Sequence, residues 1–336
     1  MARIFLTHIP DTLANYYGER ALAELRKLGE VRANQTDKVL DASALIEAAR
    51  GCEIVISDRQ TPGPAVFFRE AQDLIAFLRV AVDIRNIDVD AASKAGVLVT
   101  HATPGFTASV AEMAVGMMVD LARGVSRSVL TYRGGELPEA KMGRQLKGST
   151  LGIIGYGEIG RYLAPIGIAL GMKVLVSDPF QKVESAALTQ TDLATLLAQS
   201  DFVVCLAIAN EKTENLMNAE AFARMKPSAF FINLARGNLV DETALEHALE
   251  AGKIAGAAMD VGRAVDQQPS LHLACRADVI ATPHTAGLTP EAIEHQAFDT
   301  VHQAADILAG RMPKGAANAE SATRLARLKA NSALTS

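Results

Sequence analysis

Cysteine is scarce in this sequence, with only Cys52, Cys205 and Cys275 among 336 residues. The three are widely separated and form no CxxC pair, which excludes a disulfide framework and a cysteine-based zinc site. We expect no metal site. The cysteine usage favours a reducing compartment, and we expect a cytoplasmic protein.

Long apolar runs are also missing. No stretch reaches the roughly 18 apolar residues of a membrane span, and Thr7, His8 and Pro10 interrupt the first apolar run before it attains the length of a signal peptide. Basic residues do not outnumber acidic ones, since 33 Lys and Arg against 38 Asp and Glu give a formal net charge of -5. Because nucleic-acid binding requires an excess of cationic side chains, we expect neither nucleic acid nor a membrane as a partner.

What the sequence does contain is a regular alternation of short apolar runs and helical patterns. This alternation is typical of βα units that build a parallel sheet, so the predicted fold class is α/β. The length is about twice that of a typical domain, and 49% of the residues are hydrophobic. We therefore expect two doubly wound parallel-sheet domains, each with its own core.

The predicted elements fall into two series. In the first hundred residues the predicted strands are Ala2–Leu6, Glu53–Ser57, Ala76–Val80 and Val97–Val99, and the helices lie near Glu19–Leu28, Ala42–Arg50 and Val89–Ala95. The second series has six strands, at Leu151–Ile154, Lys173–Ser177, Phe202–Ala207, Ala229–Leu234, Ile254–Met259 and Val279–Ala281. Six strands in such a series are typical of a complete dinucleotide-binding fold.

Two longer helical patterns connect the series. Apolar residues at helical spacing predict one buried helix from Ala108 to Tyr132, followed by a glycine-rich, charged loop. The last pattern, from Pro290 to Gly310, predicts a helix that returns to the N-terminal domain. That domain would then be discontinuous, with residues 1–103 and 287–336 flanking an inserted domain of residues 104–286.

A phosphate-binding loop is predicted where the second series begins. Gly155, Gly157 and Gly160 follow an apolar strand and open a helix, with Tyr156, Glu158 and Ile159 between them. The glycines permit the tight turn, the approach of the backbone to a pyrophosphate, and close packing of helix on strand. Free amides at the helix start would bind the pyrophosphate. A plain glycine-rich turn is the alternative.

An acidic residue follows the next strand at the position that selects the cofactor. Asp178 lies 18 residues beyond Gly160, where a carboxylate accepts hydrogen bonds from an adenosine ribose and repels a 2′-phosphate. No arginine adjoins it in the segment SDPF. The predicted cofactor is NAD rather than NADP. A capping role for the aspartate is the alternative.

Three polar segments follow later strands of the same series. Arg236, the segment Asp260–Asp266 and His284 each come where a strand ends, and the carboxyl ends of parallel strands form the ligand crevice of such a sheet. A guanidinium can bind the carboxylate of a 2-oxo acid, and a histidine held by an acid can move the hydroxyl proton. Each residue also has a structural alternative: Arg236 can satisfy loop carbonyls, Asp260 can cap a strand end, and His284 can stabilise a turn.

Together these segments strongly resemble the D-isomer-specific 2-hydroxyacid dehydrogenases. The resemblance covers most of the chain and extends upstream to Arg85–Val99 and Ala108–Arg123, which look like the family's hinge region and linking helix. It implies a Rossmann NAD domain inserted into a flavodoxin-like substrate domain, and a homodimer built through the NAD domain. It further implies that Arg236 binds substrate and that His284 is the acid/base. We also expect Ala235 and Asp260 to contact the cofactor, Asp260 at the nicotinamide carboxamide.

The sequence departs from the family pattern at two places. The glutamate that partners the histidine in a DVFxxEP pattern is replaced by Val265, so we expect Asp266 to be the partner, with Gln267 or Gln268 as the competing candidates. The glycine-rich substrate loop reads AVDIRNID here, which places Val82, Asp83, Ile84 and Arg85 where backbone amides would hold the substrate carboxylate. Bulkier residues there would reshape the pocket.

These features predict an NAD-dependent oxidoreductase that transfers a hydride between nicotinamide and a small 2-hydroxy or 2-oxo acid, with D stereospecificity implied by the resemblance. Two alternatives stay open. One is an NAD-sensing binding protein, since a corepressor family uses the same fold, and the other is a formate dehydrogenase, which the missing glutamate suggests. The sequence does not identify the substrate.

Overall fold

The computed structural model describes residues 2–328. Its chain forms two compact units. The first runs to Gly105 and resumes at Thr289, and the second is Phe106–Leu288. The two crossings lie two residues beyond the bounds that the sequence analysis gives, and the assignment of the units as substrate and NAD domains stays a prediction.

The first unit is built on five parallel strands in the order β2-β1-β3-β4-β5. Its elements before the first crossing are β1 (Ala2–Leu6), α1 (Pro10–Tyr16), α2 (Glu19–Leu28), β2 (Gly29–Ala33), α3 (Ala42–Ala48), β3 (Ile54–Ser57), α4 (Ala65–Glu70), β4 (Ala76–Arg79), α5 (Val89–Ala95) and β5 (Leu98–His101). The order is that of flavodoxin-like folds. Strand β2 and helices α1 and α4 were not predicted.

Side chains of this sheet alternate between two cores. Ile4, Leu6 and Ile56 point into one, while Phe5 and Val55 point into the other. A strand that buries both faces reads as a continuous apolar run rather than an alternating one. This is why the sequence shows β1 and β3 clearly.

The second unit has seven parallel strands in the order β12-β11-β10-β9-β6-β7-β8. Its elements are α6 (Thr107–Arg123), α7 (Val125–Arg133), β6 (Thr150–Ile154), α8 (Glu158–Ala169), β7 (Lys173–Ser177), β8 (Thr189–Gln190), α9 (Leu193–Gln199), β9 (Phe202–Cys205), α10 (Ala219–Arg224), β10 (Phe230–Asn233), α11 (Glu242–Glu250), β11 (Gly256–Met259), α12 (Leu271–Ala274) and β12 (Val279–Ala281). The direction of strand addition reverses between β6 and β9, which is the topological switch point of a Rossmann fold.

The prediction of one helix from Ala108 to Tyr132 is wrong. The chain breaks at Gly124, whose φ of 65° is left-handed and ends α6 before α7 begins. Glycine adopts this conformation without a steric penalty, so it serves as the C-cap of the first helix. The helical spacing of apolar residues continues across Gly124, so this spacing predicts one helix instead of two.

The chain then returns to the first unit through α13 (Pro290–Leu308). The side chain of Thr289 caps this helix by accepting from the amide of Ala292, and the buried face includes Ala297, Val301 and Ala304. It packs against α2, as the predicted return to the N-terminal domain requires. Within the described residues, no helix combines the length and apolar character needed to cross a membrane.

Candidate active site

The glycine loop of the second unit has the shape that a dinucleotide pyrophosphate needs. Gly155 has a φ of 96°, and a Cβ there would lie 2.7 Å from the carbonyl oxygen of Leu206. A Cβ on Gly160 would overlap the carbonyl oxygen of Gly155, whereas one on Gly157 would meet nothing within 4 Å. Gly157 therefore opens onto free space at the start of α8, where helix amides can bind phosphate. The residues present fit NAD.

Asp178 lies against this loop. One carboxylate oxygen accepts from the amide of Tyr156 at 2.7 Å, and the other accepts from the amides of Phe180 and Gln181 at 2.8 and 2.9 Å. The carboxylate thus fixes the turn after β7 beside the phosphate loop. The capping role is part of its function, and its contact with a ribose stays a prediction.

Arg161 is a residue of this region that the sequence reasoning missed. It lies one turn into α8, and its guanidinium donates to the carbonyl oxygen of Tyr156 at 3.2 Å and to Oε1 of Gln181 at 2.6 Å. A cation therefore lies beside the turn that carries Asp178. A basic residue directly after Gly160 was the signal in the sequence that could have placed Arg161 beside the glycine loop.

Arg236 follows β10 in a turn that is held by a buried asparagine. The Asn233 side chain donates to the carbonyl oxygen of Arg236 at 3.0 Å and accepts from the amide of Ala235 at 3.2 Å. A Cβ at Gly237 would overlap the carbonyl of Gly262, so this turn packs directly on the loop after β11. The Arg236 side chain is half-buried and donates to the carbonyl oxygen of Ala235 at 2.7 Å. Sequence reasoning missed the role of Asn233.

Asp260 is buried, with 1% of its surface exposed. Its carboxylate accepts from Thr282 Oγ1 at 2.6 Å and from the amides of Thr285 and Ala286 at 2.8 and 2.9 Å. These bonds join the end of β11 to the turn that carries His284. The carboxylate therefore positions that turn, and its predicted contact with the cofactor stays a prediction.

His284 occupies a left-handed conformation in this turn, with a φ of 57°. Its amide donates to the carbonyl oxygen of Asp260 at 2.9 Å, and its ring Nδ1 lies 2.9 Å from the carbonyl oxygen of Asp266. A carbonyl can only accept, so Nδ1 carries the hydrogen in this contact, which leaves the lone pair of the neutral ring on Nε2. Non-glycine residues in this conformation are uncommon and concentrate at functional sites.

The contact joins the pair of residues that the sequence predicts, but through the main chain of Asp266 rather than its carboxylate. Asp266 and Gln267 both have left-handed backbones, with φ of 55° and 57°, and this geometry directs the carbonyl toward the histidine. Within residues 2–328, no side-chain hydrogen bond links His284 to Gln267 or Gln268. Catalysis by the Asp266 carboxylate stays a prediction.

The segment proposed as the substrate loop belongs to the first unit. Arg85 forms an ion pair with Asp83 at 2.6 Å, and the Arg85 amide donates to the same carboxylate. Val82 and Ile84 lie on either side of Asp83, and Val82 is 36% exposed. The charge of Arg85 is thus partly neutralised within the loop, and the role of the loop in substrate binding stays a prediction.

In chemical terms, the second unit combines a dinucleotide cradle, a cationic side chain and an imidazole of fixed tautomer at the carboxyl edge of one sheet. A cation and a proton donor suit a substrate that has a carboxylate next to a carbonyl. Among residues 2–328, no three histidine, cysteine, aspartate or glutamate side chains are grouped to hold a metal ion.

Comparisons with known proteins show which proteins this chain is similar to. The family model described as "D-isomer specific 2-hydroxyacid dehydrogenase, NAD binding domain" matches residues 115–286. The chain is 36% identical over 294 residues to the (S)-sulfolactate dehydrogenase of Chromohalobacter salexigens, covering 86% of this chain and 95% of the relative. It is 31% identical over 272 residues to the hydroxypyruvate reductase of Thermotoga maritima, covering 80% and 89%.

A solved structure gives the same result. The NAD-complexed D-isomer specific 2-hydroxyacid dehydrogenase of Lactobacillus delbrueckii ssp. bulgaricus superposes with a TM-score of 0.81 at 26% identity, covering 95% of this chain and all of that one. The chain spans about half the length of the D-3-phosphoglycerate dehydrogenases that it also resembles.

Proposed function

Because this chain belongs to the D-isomer-specific 2-hydroxyacid dehydrogenase family and is an NAD-dependent oxidoreductase, we propose that it reduces small 2-oxo acids to D-2-hydroxy acids. The observation that carries this proposal is the bond between His284 Nδ1 and the Asp266 carbonyl. It fixes the ring so that Nε2 can serve as the acid in reduction and the base in oxidation.

Arg236 is proposed to bind the substrate. Its guanidinium can form paired hydrogen bonds with a carboxylate and can polarise the adjacent carbonyl oxygen. The turn held by Asn233 and packed on Gly262 presents the side chain from a rigid base. A residue that is positioned in this way loses little entropy when the substrate binds.

His284 is proposed to deliver the proton. In the protonated ring both nitrogens carry hydrogen, so Nε2 can donate to the substrate oxygen while Nδ1 stays bonded to the Asp266 carbonyl. His284 is partly exposed, so solvent can restore the proton after each turnover.

NAD is proposed to be held by Gly155, Gly157 and Gly160, by the amides that start α8, and by Asp178 at the ribose. Ala235 and Asp260 are the remaining proposed contacts. When it is bound, the reduced nicotinamide supplies the hydride. The substrate loop Val82–Arg85 is proposed to hold the substrate carboxylate through its amides.

The names of the relatives suggest which 2-oxo acids to test. One relative is named for sulfolactate and another for hydroxypyruvate, so we propose that the substrate carries a short polar or anionic group beyond its 2-oxo acid. The test is NADH oxidation with hydroxypyruvate, sulfopyruvate, glyoxylate, pyruvate and phenylpyruvate. Saturable oxidation and a D product are expected.

Three results would contradict the proposal. NADH binding without turnover on any 2-oxo acid would favour an NAD-sensing protein. Release of carbon dioxide from formate would favour a formate dehydrogenase. A clear preference for NADPH would reject the role of Asp178.

We further propose a cytoplasmic homodimer that has no nucleic-acid partner. Helix α7 and the segment after it expose apolar side chains that a second copy would cover. These are Val125, Leu130, Tyr132, Leu137 and Met142, with exposures of 51, 67, 62, 89 and 100%. Light scattering should give about twice the monomer mass, and Leu130→Glu with Tyr132→Glu should lower it to one copy. A monomeric unmodified protein would contradict this.

Fractionation of cells tests the proposed cytoplasmic location. A DNA-binding assay tests the proposed absence of a nucleic-acid partner.

A further inference from the structure

The loop of residues 261–269, here called the Asp266 loop, is where this chain departs from the family pattern, and it carries the carbonyl that contacts His284. Its own hydrogen bonds close it on itself. The amide of Gly262 donates to the carbonyl of Gln267 at 2.8 Å, and the amide of Ala264 donates to the carbonyl of Gln268 at 3.0 Å. The backbone that presents the carbonyl is therefore a closed unit, whose placement depends on what holds it from outside.

A buried carboxylate holds the loop on one side. Glu242 begins α11 and is 8% exposed. It accepts from the amide of Arg263 at 2.9 Å and from the hydroxyl of Ser270. A Cβ on Gly262 would lie 2.8 Å from the same carboxylate, so the Gly262 backbone packs directly against the Glu242 side chain. Glu242 thus binds Arg263 near the start of the loop and Ser270 directly after its end.

An arginine of the loop holds it on the other side. The Arg263 guanidinium donates to the carbonyl oxygens of Val240 and Asn238, both at 3.1 Å, and to Glu214 at 2.9 Å. Hydrogen bonds from Asn238 and then Arg263 lower the pKa of Glu214, so this partner stays ionised. The side chain therefore joins the Asp266 loop to the segments after β9 and β10, including the turn that follows Arg236.

We infer that Arg263 and Glu242 are positioning residues for the acid/base, because together they fix the Asp266 carbonyl against His284 Nδ1. The inference rests on the proposed function of His284. The two left-handed residues in the loop, Asp266 and Gln267, have unfavourable backbone conformations that persist only where surrounding contacts enforce them. Releasing the loop would let the carbonyl move away and allow Nδ1 to lose its hydrogen.

Arg263→Ala tests this by separating catalysis from binding. The value of kcat for 2-oxo acid reduction should fall about 10- to 100-fold, as is usual when the residue that orients a functional side chain is removed. The dissociation constant of NADH should change less than about twofold, since the glycine loop is not touched. Arg263→Lys should recover part of the lost kcat.

Arg276→Ala is the matched control. Arg276 lies in the same unit and also pairs with carboxylates, with Asp278 at 2.9 and 3.0 Å and with Glu250 at 3.6 Å, but the structure gives it no bond to the Asp266 loop. It should lower the melting temperature by a similar amount with kcat within about twofold of the unmodified protein. Equal losses of kcat in the two variants would overturn the inference, as would an Arg263→Ala variant that keeps its kcat.

A readout that does not depend on turnover separates this inference from the proposed function. Nitrogen NMR shifts of the His284 ring, identified by their loss in His284→Gln, report which ring nitrogen carries the hydrogen. The unmodified protein should show hydrogen on Nδ1, and Arg263→Ala or Glu242→Ala should show a mixture. If the unmodified protein reduces no 2-oxo acid, the proposed function fails. An unchanged tautomer in both variants would reject the positioning role of Arg263 and Glu242, whatever the protein reduces.

Discussion

The two sheets of this protein place arginine at the same kind of position, the carboxyl end of a parallel strand, with opposite results. Arg79 ends β4 and is 0% exposed, and its guanidinium donates to the carbonyls of Asp58 and Thr61 and to Asn86 Oδ1. It holds two loops of the first unit together. Arg236 in the second unit is only half-buried, and the Asn233 side chain also holds its turn.

The histidines show the same contrast. His8 follows β1 and is 1% exposed, with its ring edge-on to Tyr17. Burial lowers its pKa to about 4, against an opposing effect of Asp58. His284 is instead partly exposed, and a main-chain carbonyl contacts its ring. Arg79 and His8 are thus buried parts of the first unit, whereas Arg236 and His284 are partly exposed in turns that Asn233 and Asp260 also hold.

The largest expected effect is on His284. His284→Gln should lower kcat by roughly 100- to 10,000-fold, the usual contribution of a positioned acid/base, while NADH still binds. His8→Gln should leave kcat within about threefold, because its buried ring takes no part in proton transfer. Steady-state assays at saturating NADH measure both. Comparable losses of kcat in the two variants would contradict the assignment of proton transfer to His284 alone of the two histidines.

The next effect concerns Arg236. Arg236→Ala should lower kcat/KM for 2-oxo acids by about 100- to 1,000-fold, comparable with the loss of one preorganised donor to a developing charge. The free energy of unfolding should change by less than about 1 kcal/mol, since Asn233 keeps the turn. An unaltered kcat/KM would mean that Arg236 only satisfies loop carbonyls, as Arg79 does.

Arg79→Met should show the opposite pattern. Three acceptors lose their donor in a buried site, which should lower the free energy of unfolding by about 2–4 kcal/mol. Urea denaturation gives the value. If the stability of the variant stays within about 0.5 kcal/mol of the unmodified protein, Arg79 does not hold the loops in the way described.

The smallest effect is a pH dependence. The pKa of His8 is lowered to about 4 from 6.5, so the folded protein binds fewer protons than the unfolded chain between these values. Its stability should therefore fall as the pH falls through this window, by up to about 1.4 kcal/mol per pH unit. His8→Gln should flatten the slope in denaturation series at different pH. Identical slopes would contradict the buried neutral histidine.

The sequence predicts the framework well because buried parallel strands are continuous apolar runs. Strands such as Lys173–Ser177 and Val279–Ala281 have their expected bounds. Strand β2 was missed because Glu30 and Arg32 interrupt its apolar pattern at the sheet edge. Its side chains are partly exposed, so hydrophobic burial leaves little signal there.

The site is less predictable than the fold. The glycine loop, Arg236 and His284 could be located because each follows a strand that is easy to recognise. The group that contacts His284 Nδ1 could not be located from the sequence. It is the main-chain carbonyl of Asp266, a residue with a φ of 55°, and the identities of residues do not reveal main-chain contacts. The network of Glu242, Ser270 and Arg263 likewise depends on distances between segments that sequence spacing does not give.

A double-mutant cycle tests most directly whether Arg236 and His284 act on the same substrate. The values of kcat/KM for hydroxypyruvate reduction would be compared for the unmodified protein, Arg236→Ala, His284→Gln and the double variant, all at saturating NADH. Because residues that act in one step are not additive, the double variant should lose at least about tenfold less than the product of the two single losses. Losses that multiply in full would show that the guanidinium and the imidazole act independently, and would contradict the account.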